Sequence, residues 1–377
     1  MERQQQHPPN SVVGRPATLM TVSERRRTVS AEEAAPLSIS VIVPFHADLH
    51  QLSRCLSSLL PLPPRTELIV AADRAPRECE RVAWRHGARV IHVAGPGGPA
   101  AARNQAASQS RHDVLIFIDA DVEVQSPALH AMAREFATNP TMAAVFGSYD
   151  DNPGCANFFS QYKNLAHAYV HRSSGRTARS FWAGFGGMRS DVFRSVRGFD
   201  EGFTRPCIED IDLGDRVSVA GHRVLIDRRL HGCHLKRWTF RSMLASDIWD
   251  RGVPWTQLIL KSRRIQGLNL GVGPGISVAL CYVALLCVAL AYLQPRLLVA
   301  AGTAVAIALF INRRLYAFFW KRRGAWFACR AALMNLIYHV YNGFSFALGA
   351  ALFYTDRGVV MQTAPATSGS SDRAVTR

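Results

Sequence analysis

Val114-Leu115-Ile116-Phe117-Ile118-Asp119-Ala120-Asp121 decides the fold of this 377-residue chain. The apolar run from Val114 to Ile118 reads as a strand buried on both faces, as in a parallel sheet with helices on either side. Two carboxylates directly after such a strand stand where open α/β sheets bind ligands, beyond the carboxyl ends of the strands. A hard divalent cation prefers carboxylate oxygen, and Mg²⁺ often takes only one or two carboxylates together with substrate phosphates. The spacing therefore points to a metal holding a nucleotide diphosphate. A solvated turn would give the same residues, and the rest of the chain separates the two readings.

Working outward, strands and helices alternate from Leu37. Strands are expected at Ile39–Val43, Glu67–Ala71, Arg89–Val93 and Ala143–Gly147, with helices between them. The turn Gly95-Pro96-Gly97-Gly98-Pro99 opens an Ala-rich helix; with no Lys-Ser/Thr following, it is not a phosphate loop. This alternation predicts an α/β domain with a parallel sheet covered on both faces. Beyond Tyr149 the pattern loosens. Asn157–His171 reads as a helix, the Gly-rich Phe181–Met188 suits close approach of backbone to a ligand, and a helix starts at Glu209-Asp210. Val224–Ile226 is the last expected strand. His167 and His171, at i and i+4, read as an acceptor-facing or surface pair, or as a metal pair.

The net charge is +16, with Lys and Arg concentrated after Lys236. No nucleic-acid motif accompanies them, so an anionic membrane surface and phosphorylated substrates are the expected partners, not nucleic acid. The eight cysteines lack CxxC spacing. They imply neither a metal site nor a disulfide framework, and fit a reducing compartment. Residues 1–36 contain no apolar run and read as a disordered leader; residues 357–377 read as a disordered tail.

From Trp238 to Arg264 basic residues alternate with tryptophans, and residues 236–270 read as an amphipathic interfacial segment. Within 271–356, three apolar stretches at about 276–293, 297–311 and 331–354 are candidate membrane spans. The third carries Asn335, His339, Asn342 and Ser345 close to one helical face, a polar stripe expected to face protein or a bound head group. Arg313, Arg314, Lys321, Arg322, Arg323 and Arg330 lie between the second and third stretches with no acid among them. The positive-inside rule places that loop, and by counting back the N-terminal domain, in the cytoplasm of a multi-pass plasma-membrane protein.

Five stretches in order carry a resemblance: Ser40-Val41-Ile42-Val43-Pro44; Glu67-Leu68-Ile69-Val70 with Asp73; Ala102-Arg103-Asn104; Asp119-Ala120-Asp121; and Gly198-Phe199-Asp200-Glu201 leading to Glu209-Asp210. Over residues 37–255 the chain resembles the inverting family 2 glycosyltransferases. The resemblance implies a GT-A fold, a Rossmann-like mixed sheet, over residues 37–235, with C-terminal transmembrane helices appended. It implies a nucleotide-sugar donor held by Pro44, Asp73, Arg103, Asn104, Asp119, Ala120, Asp121 and Arg237. It further implies a divalent cofactor (Mg²⁺ or Mn²⁺) on Asp119 and Asp121, Asp210 as general base with Glu209 orienting the site, and Trp182, Gly184 and Trp238 toward a lipid or glycan acceptor. His234 reads equally as a third metal ligand or as a structural histidine, and Trp238 equally as a sugar-stacking or a membrane-interface residue.

Two departures from the family pattern stand out. Ala71-Ala72-Asp73-Arg74 keeps one of the family's paired acids. His234-Leu235-Lys236-Arg237-Trp238 resembles the Gln-x-x-Arg-Trp motif of processive synthases with His in place of Gln. The expected activity is transfer of a sugar to a lipid or cell-envelope acceptor. The alternatives are a processive polysaccharide synthase and a degenerate transferase acting as a membrane scaffold.

Overall fold

The computed structural model describes residues 37–124, 126–263 and 272–355; the expected leader, the tail and the end of the interfacial segment lie outside them. In chain order the elements are β1 (Ile39–Phe45), α1 (Leu49–Ser58), β2 (Thr66–Ala72), α2 (Glu78–Arg85), β3 (Arg89–His92), α3 (Pro99–Ser108), β4 (Val114–Ile118), β5 (Val122–Val124), α4 (Ser126–Thr138), β6 (Ala144–Tyr149), α5 (Phe158–Ser173), β7 (Thr177–Ala178), β8 (Phe185–Arg189), α6 (Ser190–Ser195), α7 (Glu209–Val219), β9 (Val224–His234) and α8 (Phe240–Ala245). A π-helix (Ser246–Gly252) leads into α9 (Val253–Ser262), followed by α10 (Val272–Leu290), α11 (Leu297–Ile311) and α12 (Arg313–Tyr354).

The strands form one sheet in the order β3-β2-β1-β4-β8-β6-β9-β5, with β7 beside β9. Every residue of β4 is buried, as the uninterrupted apolar run requires. β1, β2, β3 and β4 are parallel, whereas β8 runs antiparallel between β4 and β6. The sheet is therefore mixed rather than wholly parallel. The Gly-rich stretch read as ligand-approaching loop is in part this central strand: Gly186 and Gly187 pair with Phe117 and Ile116 of β4. With no side chains of their own there, they admit the rings of Phe181 and Phe136 against the sheet.

β9 is much longer than the three residues expected. Asp227-Arg228-Arg229 interrupts the apolar pattern in its middle, where exposed positions need no hydrophobic side chain, and alternation resumes to His234. That extension pairs with β5, which follows Asp121 directly, in the register Val122↔His234. The late histidine is thereby carried back to the paired acids.

α3 starts after Gly98, whose φ of 98° only glycine adopts easily, with Pro99 at its first position. Its alanines are buried against the sheet, so the helix lies close enough to bury Arg103 too. A second core joins α5 and α8 to α12 through Tyr162, Leu165, Trp238, Met243, Phe319, Met334 and Tyr341. Of the stripe on α12, Asn335, His339 and Ser345 are buried in protein, with Asn335 accepting from Tyr316 Oη at 2.8 Å. α12 is broken at Gly324, whose backbone (φ 82°, ψ 174°) is not helical.

Candidate active site

The carboxyl ends of β1, β2 and β4 and the end of β9 open onto one cavity of about 1000 Å³. Its walls contain every expected site residue except Asn104 and Gly184: Pro44, Asp73, Arg103, Asp119, Ala120, Asp121, Trp182, Glu209, Asp210, His234, Arg237 and Trp238.

Arg103 ties the two halves of the site together. Its guanidinium donates to Asp119 Oδ1 at 2.6 Å and to Glu209 Oε1 at 2.9 Å, joining the end of β4 to the start of α7. Burial works against the charge, yet the two carboxylates raise the guanidinium's pKa above its ordinary value. Glu209 also accepts from the Cys207 amide at 2.8 Å. Asp119 is pushed up by burial against the pull of Arg103, and its amide bonds to Gly184 O at 3.2 Å.

Asp121 meets His234 at 3.4 Å between Oδ2 and Nε2. Burial disfavours its charge, but His234 and Lys236 outweigh that and hold the carboxyl below its usual range. The imidazole is fixed by stacking on Tyr149, centroids 4.4 Å apart and planes 12° from parallel. Tyr149 in turn meets Trp182 edge-on at 4.7 Å. Among the described residues no group of three or more His, Cys, Asp or Glu is arranged around a common ion position. Asp121 and His234 thus form a two-donor set on the cavity wall, which suits an ion that draws its other ligands from phosphate and water.

Asp210 follows Glu209 at the start of α7 and lines the same cavity. Burial and the neighbouring Glu209 charge push its carboxyl up to about 7, opposed by Arg103 and Arg251. Its one protein hydrogen bond among the described residues is a long one, from the Ala183 amide at 3.3 Å. A carboxylate so placed, at the start of a helix and half-ionised near neutrality, can accept a proton from a bound hydroxyl.

The remaining expected residues have visible structural tasks. Asn104 accepts from Phe199 N at 2.9 Å and donates to Phe199 O at 2.8 Å, pinning the Gly198-Phe199-Asp200-Glu201 turn to α3. Gly184 stands behind Trp182, where a Cβ would come within 2.6 Å of the indole. Asp73 accepts from Gly98 N at 2.7 Å with Oδ2, while its buried Oδ1 has no partner among the described residues. Trp238 is only 5% exposed and belongs to the second core, with Lys236 Nζ 4.4 Å from its ring centroid. His167 and His171 line the cavity with ring centroids 4.1 Å apart, and burial lowers both below the usual imidazole range. They stand among Trp182 and Tyr149 as neutral rings.

The sequence reading missed Tyr149, which ends β6 as an ordinary strand aromatic, and the π-helix residues Asp250 and Arg251. Both of the latter line the cavity from a segment read as interfacial. The only sequence signal for them is a pair of opposite charges between Trp249 and Trp255.

The mixed α/β sheet, with acids and a buried arginine at its carboxyl edge, matches the GT-A arrangement expected from the sequence. Residues 40–197 match the family model described as Glycosyl transferase family 2, so this part of the chain carries a domain of that kind. Among curated proteins it is 25% identical over 226 residues to the O-antigen biosynthesis protein RfbC of Myxococcus xanthus, a match covering 50% of this chain and 16% of that protein. It is 26% identical over 219 residues to the pre-mycofactocin glycosyltransferase of Mycobacterium tuberculosis, covering 55% of this chain and 44% of the relative. The matches thus span less than half the length of either relative. Among solved structures, a mannosyltransferase from Pyrobaculum calidifontis in complex with GDP-Man and Mn²⁺ is similar at a TM-score of 0.48 and 16% identity, covering 86% of this chain and 90% of that one. Glucosyl-3-phosphoglycerate synthase from Mycobacterium tuberculosis, solved with Mn²⁺ and UDP-glucose, is similar at 0.41 and 19% identity, covering 63% and 83%.

Proposed function

We propose that the protein is an inverting glycosyltransferase, moving a sugar from a nucleotide diphosphate sugar to a lipid or cell-envelope acceptor at the cytoplasmic face of the plasma membrane. The observation that carries this reading is the convergence on one cavity of the Asp121–His234 pair, the Arg103 bridge between Asp119 and Glu209, and Asp210 raised to about 7. Asp73 with its free Oδ1 would receive the nucleotide base. Arg103 holds Asp119 toward the nucleotide, and Arg237 would clamp the diphosphate through charge-assisted hydrogen bonds. Asp121 and His234 would hold the divalent cation, with Asp119 near it. Once bound, that ion would neutralise the charge developing on the leaving diphosphate. Asp210 then takes the proton of the acceptor hydroxyl, with Glu209 and Arg103 setting its affinity for it. Trp182 presents an apolar wall to the sugar.

Membrane attachment is supported by α10 and α12, both long and apolar enough to cross a bilayer, in which only 17% and 22% of the most apolar window is buried. A helix in the core of a water-soluble protein would be mostly buried. Single addition is favoured over processive synthesis because Trp238, the last residue of the processive-type motif, is packed into the core joining the sheet domain to α12.

The test is nucleotide release by the detergent-solubilised chain from a panel of UDP-, GDP- and dTDP-sugars with Mg²⁺ or Mn²⁺. Metal-dependent release from one donor, lost in Asp121→Ala and Asp210→Asn, is expected. A wild type that binds no donor with either metal would leave the scaffold reading instead.

A further inference from the structure

Six cations line the cavity, and most are engaged. Arg103 is held by two carboxylates, Arg205 pairs with Asp250 at 3.0 Å, Arg74 donates to Pro96 O at 2.6 Å, and Lys236 lies over Trp238. Arg237 and Arg251 make no hydrogen bond or ion pair with any described residue. Arg237 adjoins Lys236, whose charge acts on Asp121, on the side assigned to the diphosphate. Arg251 enters the same cavity from the π-helix, and its charge acts on Asp210, His167 and His171.

The fold holds Arg251 in that position. It belongs to the π-helix, a rare irregular turn that is frequent at functional sites. Asp247, buried one turn earlier, is ion-paired with Lys163 of α5 and accepts from Tyr341 Oη of α12 at 2.7 Å. On the next residue but four, Gly252 leaves no room for a Cβ against Ser345 of α12. The π-helix is thus anchored on both sides, which fixes where Asp250 and Arg251 enter the cavity. His167 lines the same cavity, and its buried Nδ1 has no partner among the described residues. A guanidinium and an idle ring nitrogen lining one cavity are the makings of an oxyanion site.

Single displacement places the acceptor opposite the leaving diphosphate, on the side of the base. We propose that Arg251, with His167, forms a second anion subsite that takes a phosphate or carboxylate carried by the acceptor and so orients its hydroxyl toward Asp210. The inference rests on the transfer reading above and narrows its acceptor to an anionic one.

The experiment uses the full chain in neutral detergent, with methyl phosphate as probe and tryptophan fluorescence as readout, since Trp182, Trp238 and Trp255 line the cavity. Titrations are run with and without saturating UDP or GDP plus Mg²⁺. With nucleotide in place, wild type should still bind methyl phosphate. Arg251→Gln should weaken that binding at least tenfold, Arg251→Lys should weaken it less, and Arg237→Gln should leave it unchanged. Equal binding by wild type and Arg251→Gln, with equal melting temperatures, overturns the proposal. So does loss of methyl phosphate binding when nucleotide is added, which would make the diphosphate the anion. A third overturning result is an Arg251→Gln defect confined to UDP-glucuronate and absent for UDP-glucose, which would put the anion on the transferred sugar. If neither nucleotide binds wild type, the transfer reading itself fails and takes the acceptor assignment with it. The nucleotide-free arm then reports separately whether Arg251 holds an anion.

Discussion

Replacing Glu209 with Gln should move the acid limb of the pH–rate profile downward. Asp210 titrates at about 7 because it is buried and because Glu209 is a like charge beside it. The substitution removes that charge and frees Arg103, now left with Asp119 alone, to act more strongly on Asp210. Gln can still accept from the Cys207 amide, so the turn before α7 keeps its hydrogen bond. A shift of about one unit corresponds to about 1.4 kcal/mol between the protonation states. At pH 6 a base titrating near 7 is about 9% ionised, and one titrating near 6 about 50%, so relative activity at pH 6 rises roughly fivefold. The sign follows from the role: a general base works when deprotonated, so activity is lost as pH falls through its pKa. The assay is nucleotide release at low donor concentration from pH 5 to 9, each variant normalised to its own plateau, so that any general loss of rate cancels. A limb that stays in place or moves up would refute the coupling between Glu209 and Asp210.

Asp121→Ala should weaken Mn²⁺ binding at least tenfold, about 1.4 kcal/mol, measured by titration of the solubilised protein with nucleoside diphosphate present. Arg103→Gln leaves two carboxylates without their shared cation. Since Asp119 keeps solvent contact, the low end of the range for a broken buried pair applies, about 3 kcal/mol. A thermal melt should show a fall of about 6–12 °C if the sheet domain unfolds as a unit. Gly184→Ala forces the Trp182 indole away from a Cβ 2.6 Å distant, at a cost of about 1–3 kcal/mol. The same melt, together with a raised acceptor KM, would register it.

The sheet was legible wherever burial dictated composition. β1, β2 and β4 are apolar because both faces are covered, and the acids after β4 could be placed at a ligand-binding edge from that alone. β9 was not, because its exposed middle tolerates Asp227, Arg228 and Arg229 and so looks like loop. Its length nevertheless decides that His234 reaches Asp121. Chain order put Arg103 and Asn104 together as donor-site residues. The structure separates them, Arg103 facing the acids and Asn104 turning away to the Phe199 backbone, a difference that adjacent positions on a helix enforce. Arg251 was illegible because what singles it out is the lack of a partner among the described residues, and no sequence pattern reports that.

The most direct test of the site is a structure of the chain with its nucleoside diphosphate and Mn²⁺, located by anomalous scattering. The account predicts one Mn²⁺ ligated by Asp121 and His234 and by diphosphate oxygens, with the base against Asp73 and Asp210 left free of metal. A Mn²⁺ peak away from Asp121, or a nucleotide bound outside this cavity, would contradict it.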